Sequence, residues 1–139
     1  MVKSLKDPNN SRVKIIQKLY SSLLNPDMII DFPKSQYKKF IKDVVLGTIE
    51  RRELIEENIK KILDSDIDLK RTDMILKIII FASVFELLFK HNNSIKVIIS
   101  EYIKASEFFL ENAQIKYLNA ILDKIAKNIR NENYRVKNY

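Results

Sequence analysis

The 139-residue sequence has no cysteine, one glycine and one histidine. The absence of cysteine excludes disulfide bonds, iron–sulfur clusters, cysteine-based zinc sites and thiol catalysis. A phosphate-binding loop or a dinucleotide fingerprint needs several glycines, so neither can be present. One histidine leaves no multi-histidine metal site and no two-histidine acid–base pair. We therefore expect no metal and no cofactor, and we expect that the protein is not an enzyme.

Basic residues exceed acidic ones, and the excess is concentrated at the two ends of the chain. There are 25 Lys and Arg residues against 18 Asp and Glu, which gives a net charge of +7. Five basic side chains and one acidic side chain lie within residues 1–20, and the same numbers lie within residues 124–139. This distribution favours local patches that bind an anionic partner, although solvated basic tails would give the same pattern.

No segment of the sequence has the properties of an export signal or a membrane span. The N-terminal residues lack an apolar core. The longest apolar stretch, Met74 to Phe89, is interrupted by Lys77, Ser83 and Glu86, and it is too short and too polar to cross a bilayer. Without cysteine and without an export signal, the sequence predicts a cytoplasmic protein with no membrane partner.

The apolar residues repeat with helical spacing through nearly the whole chain, and no strand pattern is found. We predict an all-α protein, a compact bundle of six to seven helices that forms a single domain over residues 11–130. A flexible basic segment is expected at 1–10 and a polar tail at 131–139. The first helix is predicted from Asn10 or Ser11 to Asn25, the second begins after Ser35, and the others cover residues 51–64, 72–91, 95–110 and 113–130.

Three polar side chains are predicted to have structural roles. Glu86 is the one acid in the most apolar helix, where a buried carboxylate needs partners. We favour a hydrogen bond to a backbone amide or a neighbouring loop over a catalytic role. Asn119 and Asp123 are four residues apart on the last predicted helix, and we expect them to anchor the end of a neighbouring helix.

Cationic and aromatic side chains occur together at two places in the predicted helices. Single-stranded RNA is bound by cations along its backbone and by aromatic rings that stack on its bases. Lys116 and Tyr117 are adjacent in the last helix, while Tyr20 shares the first helix with Arg12 and Lys14. RNA binding is one interpretation of these residues. The other, in which Tyr20 and Tyr117 are core aromatics with solvated hydroxyl groups, stays open.

A set of short motifs follows in order from about residue 11 to residue 127, each with helical spacing. The motifs are Arg12…Gln17-Lys18-Leu19-Tyr20, Phe40…Val44-Val45-Leu46-Gly47, Ile55-Glu56…Ile59…Leu63, Arg71…Asp73…Leu76…Ile78-Ile79, Phe85-Glu86-Leu87, Lys96-Val97…Ile99-Ser100-Glu101 and Lys116-Tyr117…Asn119…Leu122-Asp123. In this order and spacing the sequence resembles the NusB family of bacterial transcription antitermination factors.

The resemblance implies an all-helical fold of two subdomains without enzymatic activity. Members of the family pair with NusE, a small-subunit ribosomal protein, on boxA RNA, and the antitermination complex lets RNA polymerase read through terminators, especially in ribosomal RNA operons. By similarity, Arg12, Lys116 and Tyr117 map onto the RNA-facing surface. Lys14 is added to this set because of its charge alone. Glu86 maps onto a structural position, as does Asn119. The most apolar helix and the helix before it approach the NusE-binding side.

The sequence departs from the family pattern where an arginine-rich N-terminal segment is usual. Asn9 and Asn10 occupy much of that place, and Arg12 stands nearly alone. Lys3 and Lys6 offer point charges instead of the planar fork of arginine. The alternative function is therefore a protein of the same fold that acts as a protein-interaction adaptor or a homodimer, with weak or no specific RNA binding.

Overall fold

The structure is a computed structural model that describes residues 9–63 and 68–138, with side chains described as far as residue 130. The expected flexible segment at 1–10, except its last two residues, and the side chains of the expected tail at 131–139 lie outside this description. Six helices are present in the described residues, which contain no strand, as predicted. They are α1 (Ser11–Leu24), α2 (Lys38–Glu50), α3 (Arg52–Leu63), α4 (Met74–Phe89), α5 (Ile95–Ser106) and α6 (Asn112–Asn138).

Helix α4 is the centre of the bundle and packs against all five other helices. Its sequence is apolar on every side, and eleven consecutive or nearly consecutive positions from Leu76 to Leu87 are buried. A helix without a polar face is stable only when neighbours cover it all round. The prediction that this segment forms the buried central helix is confirmed.

The helix ends agree with the predicted ones at some places and differ at others. The side chain of Asn10 accepts hydrogen bonds from the backbone N–H groups of Arg12 and Val13, so Asn10 is the N-cap of α1 as predicted. The prediction that Ser35 caps the second helix is wrong, because α2 begins three residues later and has no side-chain cap. Helix α4 begins after Asp73, whose carboxylate caps it, and not at residue 72.

Helix α6 continues beyond its predicted end at residue 130 and runs to Asn138. The sequence after residue 130 contains neither glycine nor proline, so no residue there interrupts the helical backbone. Before that point, the inward face of α6 carries Leu118, Leu122 and Ile125, all fully buried, at the predicted spacing. No helix of the described residues is both long and apolar enough to span a membrane.

The single glycine lies where α2 packs on α4. A Cβ atom at Gly47 would overlap the ring of Phe85. Phe85 is itself buried and packs against Phe89, with ring centroids 5.1 Å apart. Glycine is therefore required at this position by the close approach of an aromatic ring and not by backbone conformation.

Candidate nucleic-acid interface

A buried network of three side chains joins α1, α4 and α5. The guanidinium of Arg12 donates two hydrogen bonds to the carboxylate of Glu86, from Nε at 3.0 Å and from Nη2 at 2.5 Å. The hydroxyl of Tyr102 donates to the same carboxylate at 2.5 Å. The side chain of Glu86 is fully buried and that of Arg12 is 10% exposed. Both carboxylate oxygens therefore have partners, as a buried charge requires.

Aromatic rings enclose the charged part of this network. The guanidinium carbon of Arg12 lies 4.7 Å from the centroid of the Phe40 ring and 5.7 Å from that of Tyr102. Burial by itself lowers the pKa of Arg12, but the hydrogen bond and the charge of Glu86 more than compensate and raise it above its ordinary value. Burial, followed by the negative charge of Glu86, raises the pKa of Tyr102 well above 10.0. The tyrosine is therefore a neutral donor.

The structure corrects the expected partners of Glu86 and gives Arg12 a buried partner, while contact of Arg12 with RNA stays a prediction. Arg12 was predicted on an RNA-facing surface, but its guanidinium points into the bundle and is occupied by Glu86. Glu86 was expected to bond to a backbone amide or a loop, whereas its partners are the side chains of Arg12 and Tyr102. These partners are 74 and 16 residues away in sequence, so helical spacing within one segment gives no sign of them.

The start of α1 is also attached to the surface of α5. The side-chain amide of Asn10 donates to Oε1 of Glu101 at 3.1 Å, in addition to capping α1. The other carboxylate oxygen of Glu101 lies 3.7 Å from the ammonium group of Lys104 on the same helix. Lys14 follows Asn10 by one helical turn, and its backbone N–H donates to the Asn10 carbonyl at 3.2 Å. Asn10 therefore fixes where the first helix meets α5.

The four other residues predicted to bind RNA lie on two separate helices. Lys14 and Tyr20 are on α1 and are partly exposed, and Tyr20 packs against the core. Lys116 and Tyr117 are on α6; Lys116 is exposed and Tyr117 is 41% exposed. Among the described residues, α1 and α6 do not contact each other, whereas α5 contacts both. Lys14 and Tyr20 thus share one helix, Lys116 and Tyr117 share another, and these two helices are joined through others.

Asn119 and Asp123 have a different place from the one expected of helix anchors. Both are exposed and line an open groove between α5 and α6, which we call the α5–α6 groove and which has a volume of about 610 Å³. Asp123 pairs with Lys127 on its own helix, at 3.1 Å between Oδ2 and Nζ. The structure therefore corrects the expectation that this pair anchors the end of a neighbouring helix.

The anchoring role belongs to a residue that sequence reasoning counted only as part of a basic end. The guanidinium of Arg130 donates to the backbone carbonyls of Glu86, Leu87, Lys90 and Asn93, at 2.7 to 3.2 Å. These carbonyls lie at the end of α4 and in the turn after it; those of Glu86 and Lys90 also accept from the backbone N–H groups of Lys90 and Asn93. Partial burial lowers the pKa of Arg130. In the sequence, the only indication of this anchoring role was that Arg130 lies in the last turn of the predicted helix, just before a polar segment.

A second groove lies between α1, α2 and α4. This α1–α4 groove has a volume of about 610 Å³ and is lined by Leu19 and Leu23 of α1, Thr48 and Ile49 of α2, and Met74, Ile78 and Phe81 of α4, among others. Arg52, Lys70 and Lys77 are its charged lining residues, and all three are cationic. The Thr48 hydroxyl is buried and has no hydrogen-bond partner in the described part of the protein.

The fold and these surfaces define a class of protein before any comparison is made. The described residues form an all-helical bundle with a buried ion pair at its centre, and its outer helices carry cations next to exposed aromatic and apolar side chains. This is the architecture of a binding protein. The sequence profile of the NusB family matches residues 5–127, and the chain belongs to this family.

Individual relatives agree with this assignment. The transcription antitermination protein NusB of Mesorhizobium japonicum is 31% identical over 94 residues, which cover 68% of this chain and 61% of the relative. The protein of the same name from Sinorhizobium fredii is 33% identical over 93 residues, which cover 67% and 58%. The chain therefore matches about three fifths of the length of these relatives. The crystal structure of NusB from T. maritima, at 23% identity, superimposes with a TM-score of 0.72 over 88% of this chain and 92% of that one, which confirms the all-α fold.

Proposed function

We propose that this protein is an RNA-binding transcription antitermination factor that pairs with NusE on boxA RNA and promotes read-through by RNA polymerase, especially in ribosomal RNA operons. Membership of the NusB family and the names of the relatives support the antitermination role. The observation that carries RNA binding is the exposed pair Lys116 and Tyr117. A cation beside an exposed ring can neutralise a phosphate and stack on a base.

The direct test is binding of a boxA-containing RNA, measured by fluorescence anisotropy at several salt concentrations. A scrambled RNA of equal length is the matched control, and each RNA is measured with and without NusE. We expect the boxA RNA to bind more tightly, with further tightening by NusE, and log K to fall linearly with log salt. Equal affinity for both RNAs, unaffected by NusE, would overturn the proposal.

For NusE, we propose the α1–α4 groove as the docking surface. Its floor is apolar, and Leu23, Ile49 and Met74 are each more than 40% exposed, which is costly unless a partner covers them. The resemblance to the family also implies that α4 and the helix before it, α3, approach the NusE-binding side, and α4 is one of the helices that line the groove.

The docking surface can be tested with one charged substitution inside the groove. Met74→Glu places a carboxylate on the apolar lining and should weaken NusE binding by at least tenfold in calorimetry. Val97→Glu is the control, because Val97 is similarly exposed on α5 but does not line the groove. Equal NusE affinity of both variants would show that the partner binds elsewhere.

A homodimer is the second candidate, and the same exposed apolar residues favour it. A second copy of the chain would cover Leu23 and Met74 as effectively as NusE would. Sedimentation at micromolar concentration discriminates the two. If the groove is a self-association surface, the wild-type chain sediments as a dimer, Met74→Glu sediments as a monomer, and added NusE dissociates the dimer.

A further inference from the structure

The proposed RNA-binding residues raise a geometric problem that the structure itself resolves. Lys14 lies on α1 and Lys116 on α6, and these helices do not contact each other in the described residues. Two helices of the described residues contact both of them, α4 and α5, and α4 is buried over most of its length. Helix α5 therefore offers the exposed face that a single RNA strand would cross to reach both lysines. We propose that this face is part of the RNA-binding surface, with Lys104 and Lys96 as phosphate contacts; the inference rests on the proposed RNA binding.

A chain of side-chain contacts leads from α1 onto this face. Asn10, one turn before Lys14, donates to Glu101 of α5. Glu101 lies 3.7 Å from the ammonium group of Lys104, whose side chain is 62% exposed. An ion pair with one partner so exposed contributes little stability, so Lys104 can turn towards a phosphate at little cost. These contacts therefore connect the start of the first helix to Lys104, a lysine that belongs to none of the sequence motifs.

The outward residues of α5 continue the path along the groove. Lys96, Ser100 and Lys104 are spaced by four residues, so they form one row on the helix surface, about 12 Å long. All three are exposed and line the α5–α6 groove. The row gives two cations separated by a hydroxyl group, which is a suitable arrangement for a sugar–phosphate backbone.

The opposite wall of the groove leads to the second pair of proposed RNA contacts. Asn119 and Asp123 line this wall, and Lys116 precedes Asn119 by three residues on the same helix, so the three share one face of α6. The amide of Asn119 can pair with the edge of an unstacked base. Asp123 is already paired with Lys127, which reduces its repulsion of a nearby phosphate.

The test measures the salt dependence of binding to the boxA-containing RNA for three single variants. Lys96→Gln and Lys104→Gln each remove one cation and keep most of the side-chain length. Lys42→Gln is the matched control, because Lys42 is an exposed lysine on α2, a helix that does not contact α5 in the described residues. Each phosphate contact contributes about 0.7 to the slope of log K against log salt for a single strand.

If the inference is right, Lys96→Gln and Lys104→Gln each lower the slope by about 0.7 and weaken binding about fivefold at 0.1 M salt, and Lys42→Gln changes neither. If the wild-type chain binds the RNA but all three variants retain its slope and affinity, the path across α5 is wrong although the proposed function stands. If the wild-type chain does not bind the RNA, the proposed function fails, and the path fails with it.

Discussion

Arg12 and Glu86 form a buried, doubly hydrogen-bonded ion pair that joins the first helix to the central one. Nε and Nη2 of Arg12 each donate to a different oxygen of the Glu86 carboxylate, at 3.0 and 2.5 Å. Planar guanidinium and carboxylate groups match in this arrangement, which a lysine could not reproduce. The one arginine of the first helix therefore contributes to the architecture of the bundle, and the other basic residues of that helix are Lys14 and Lys18.

Removing one member of this pair should be far more harmful than removing the whole network. Arg12→Met leaves the Glu86 carboxylate buried without its counter-charge, and we expect it to lower the free energy of unfolding by about 3–5 kcal/mol. The triple variant Arg12→Met, Glu86→Leu and Tyr102→Phe leaves no polar group unpaired. Its free energy of unfolding should therefore lie within about 1–2 kcal/mol of the wild-type value. Urea denaturation followed by circular dichroism measures both. A triple variant as unstable as the single one would contradict the expectation.

The same triple variant tests whether Arg12 contacts RNA. If Arg12 only holds α1 in place, the folded triple variant should keep the wild-type slope of log K against log salt. Lys14→Gln, a change at a partly exposed cation two residues away, should lower that slope by about 0.7. A triple variant whose slope falls as much as that of Lys14→Gln would return Arg12 to the RNA-binding surface.

Stability should decrease at high pH because of Tyr102. Burial and the charge of Glu86 raise its pKa in the folded state well above the ordinary value of 10.0, whereas the unfolded tyrosine ionises near that value. The stabilisation is thus complete below about pH 10 and is lost as the pH rises above it, because only the unfolded state releases the proton easily. Denaturation of the wild-type protein and of Tyr102→Phe between pH 8 and 11 isolates this effect, because the two proteins differ only at residue 102. Parallel curves would show that Tyr102 does not contribute.

Tyr117 should contribute to RNA affinity through its ring. Tyr117→Ala should weaken RNA binding by about 1–3 kcal/mol, the usual range for a ring that stacks on a base. Tyr117→Phe should bind nearly as well as wild type, since the stacking surface is kept. Tyr37→Ala serves as the control, because Tyr37 is 52% exposed at the start of α2, away from α6. If the Tyr117 and Tyr37 variants bind RNA equally, the ring does not stack.

The contact between α2 and α4 should not tolerate a side chain at Gly47. In Gly47→Ala the new methyl group meets the buried ring of Phe85, which must move against its neighbour Phe89. We expect a loss of about 1–3 kcal/mol, typical of an overpacked core, although alanine is the better helix former. The double variant Gly47→Ala with Phe85→Leu should recover part of the loss, since leucine is shorter. Thermal unfolding of the three proteins provides the measurement.

Local patterns in the sequence predicted the helices and their burial because these depend on near neighbours. The spacing of Leu118, Leu122 and Ile125 gave the buried face of α6, and Asn10 was identified as a cap. The apolar run from Met74 to Phe89 predicted the central helix. The start of the second helix was misplaced at Ser35, because a polar side chain before a helical pattern indicates a helix start only approximately, and α2 begins at Lys38 without a side-chain cap.

The sequence by itself determined an all-helical chain, the central place of α4 and the presence of cationic and aromatic pairs, because periodicity and composition act within a few turns of helix. Only the tertiary structure decided what those residues do. It buried Arg12 against Glu86, 74 residues away, and it placed the guanidinium of Arg130 against the backbone carbonyls at the end of α4. It also placed Lys14 and Lys116 on helices that do not contact each other in the described residues. A side chain's partners depend on which helices pack together, and that is set by the burial of whole helix faces.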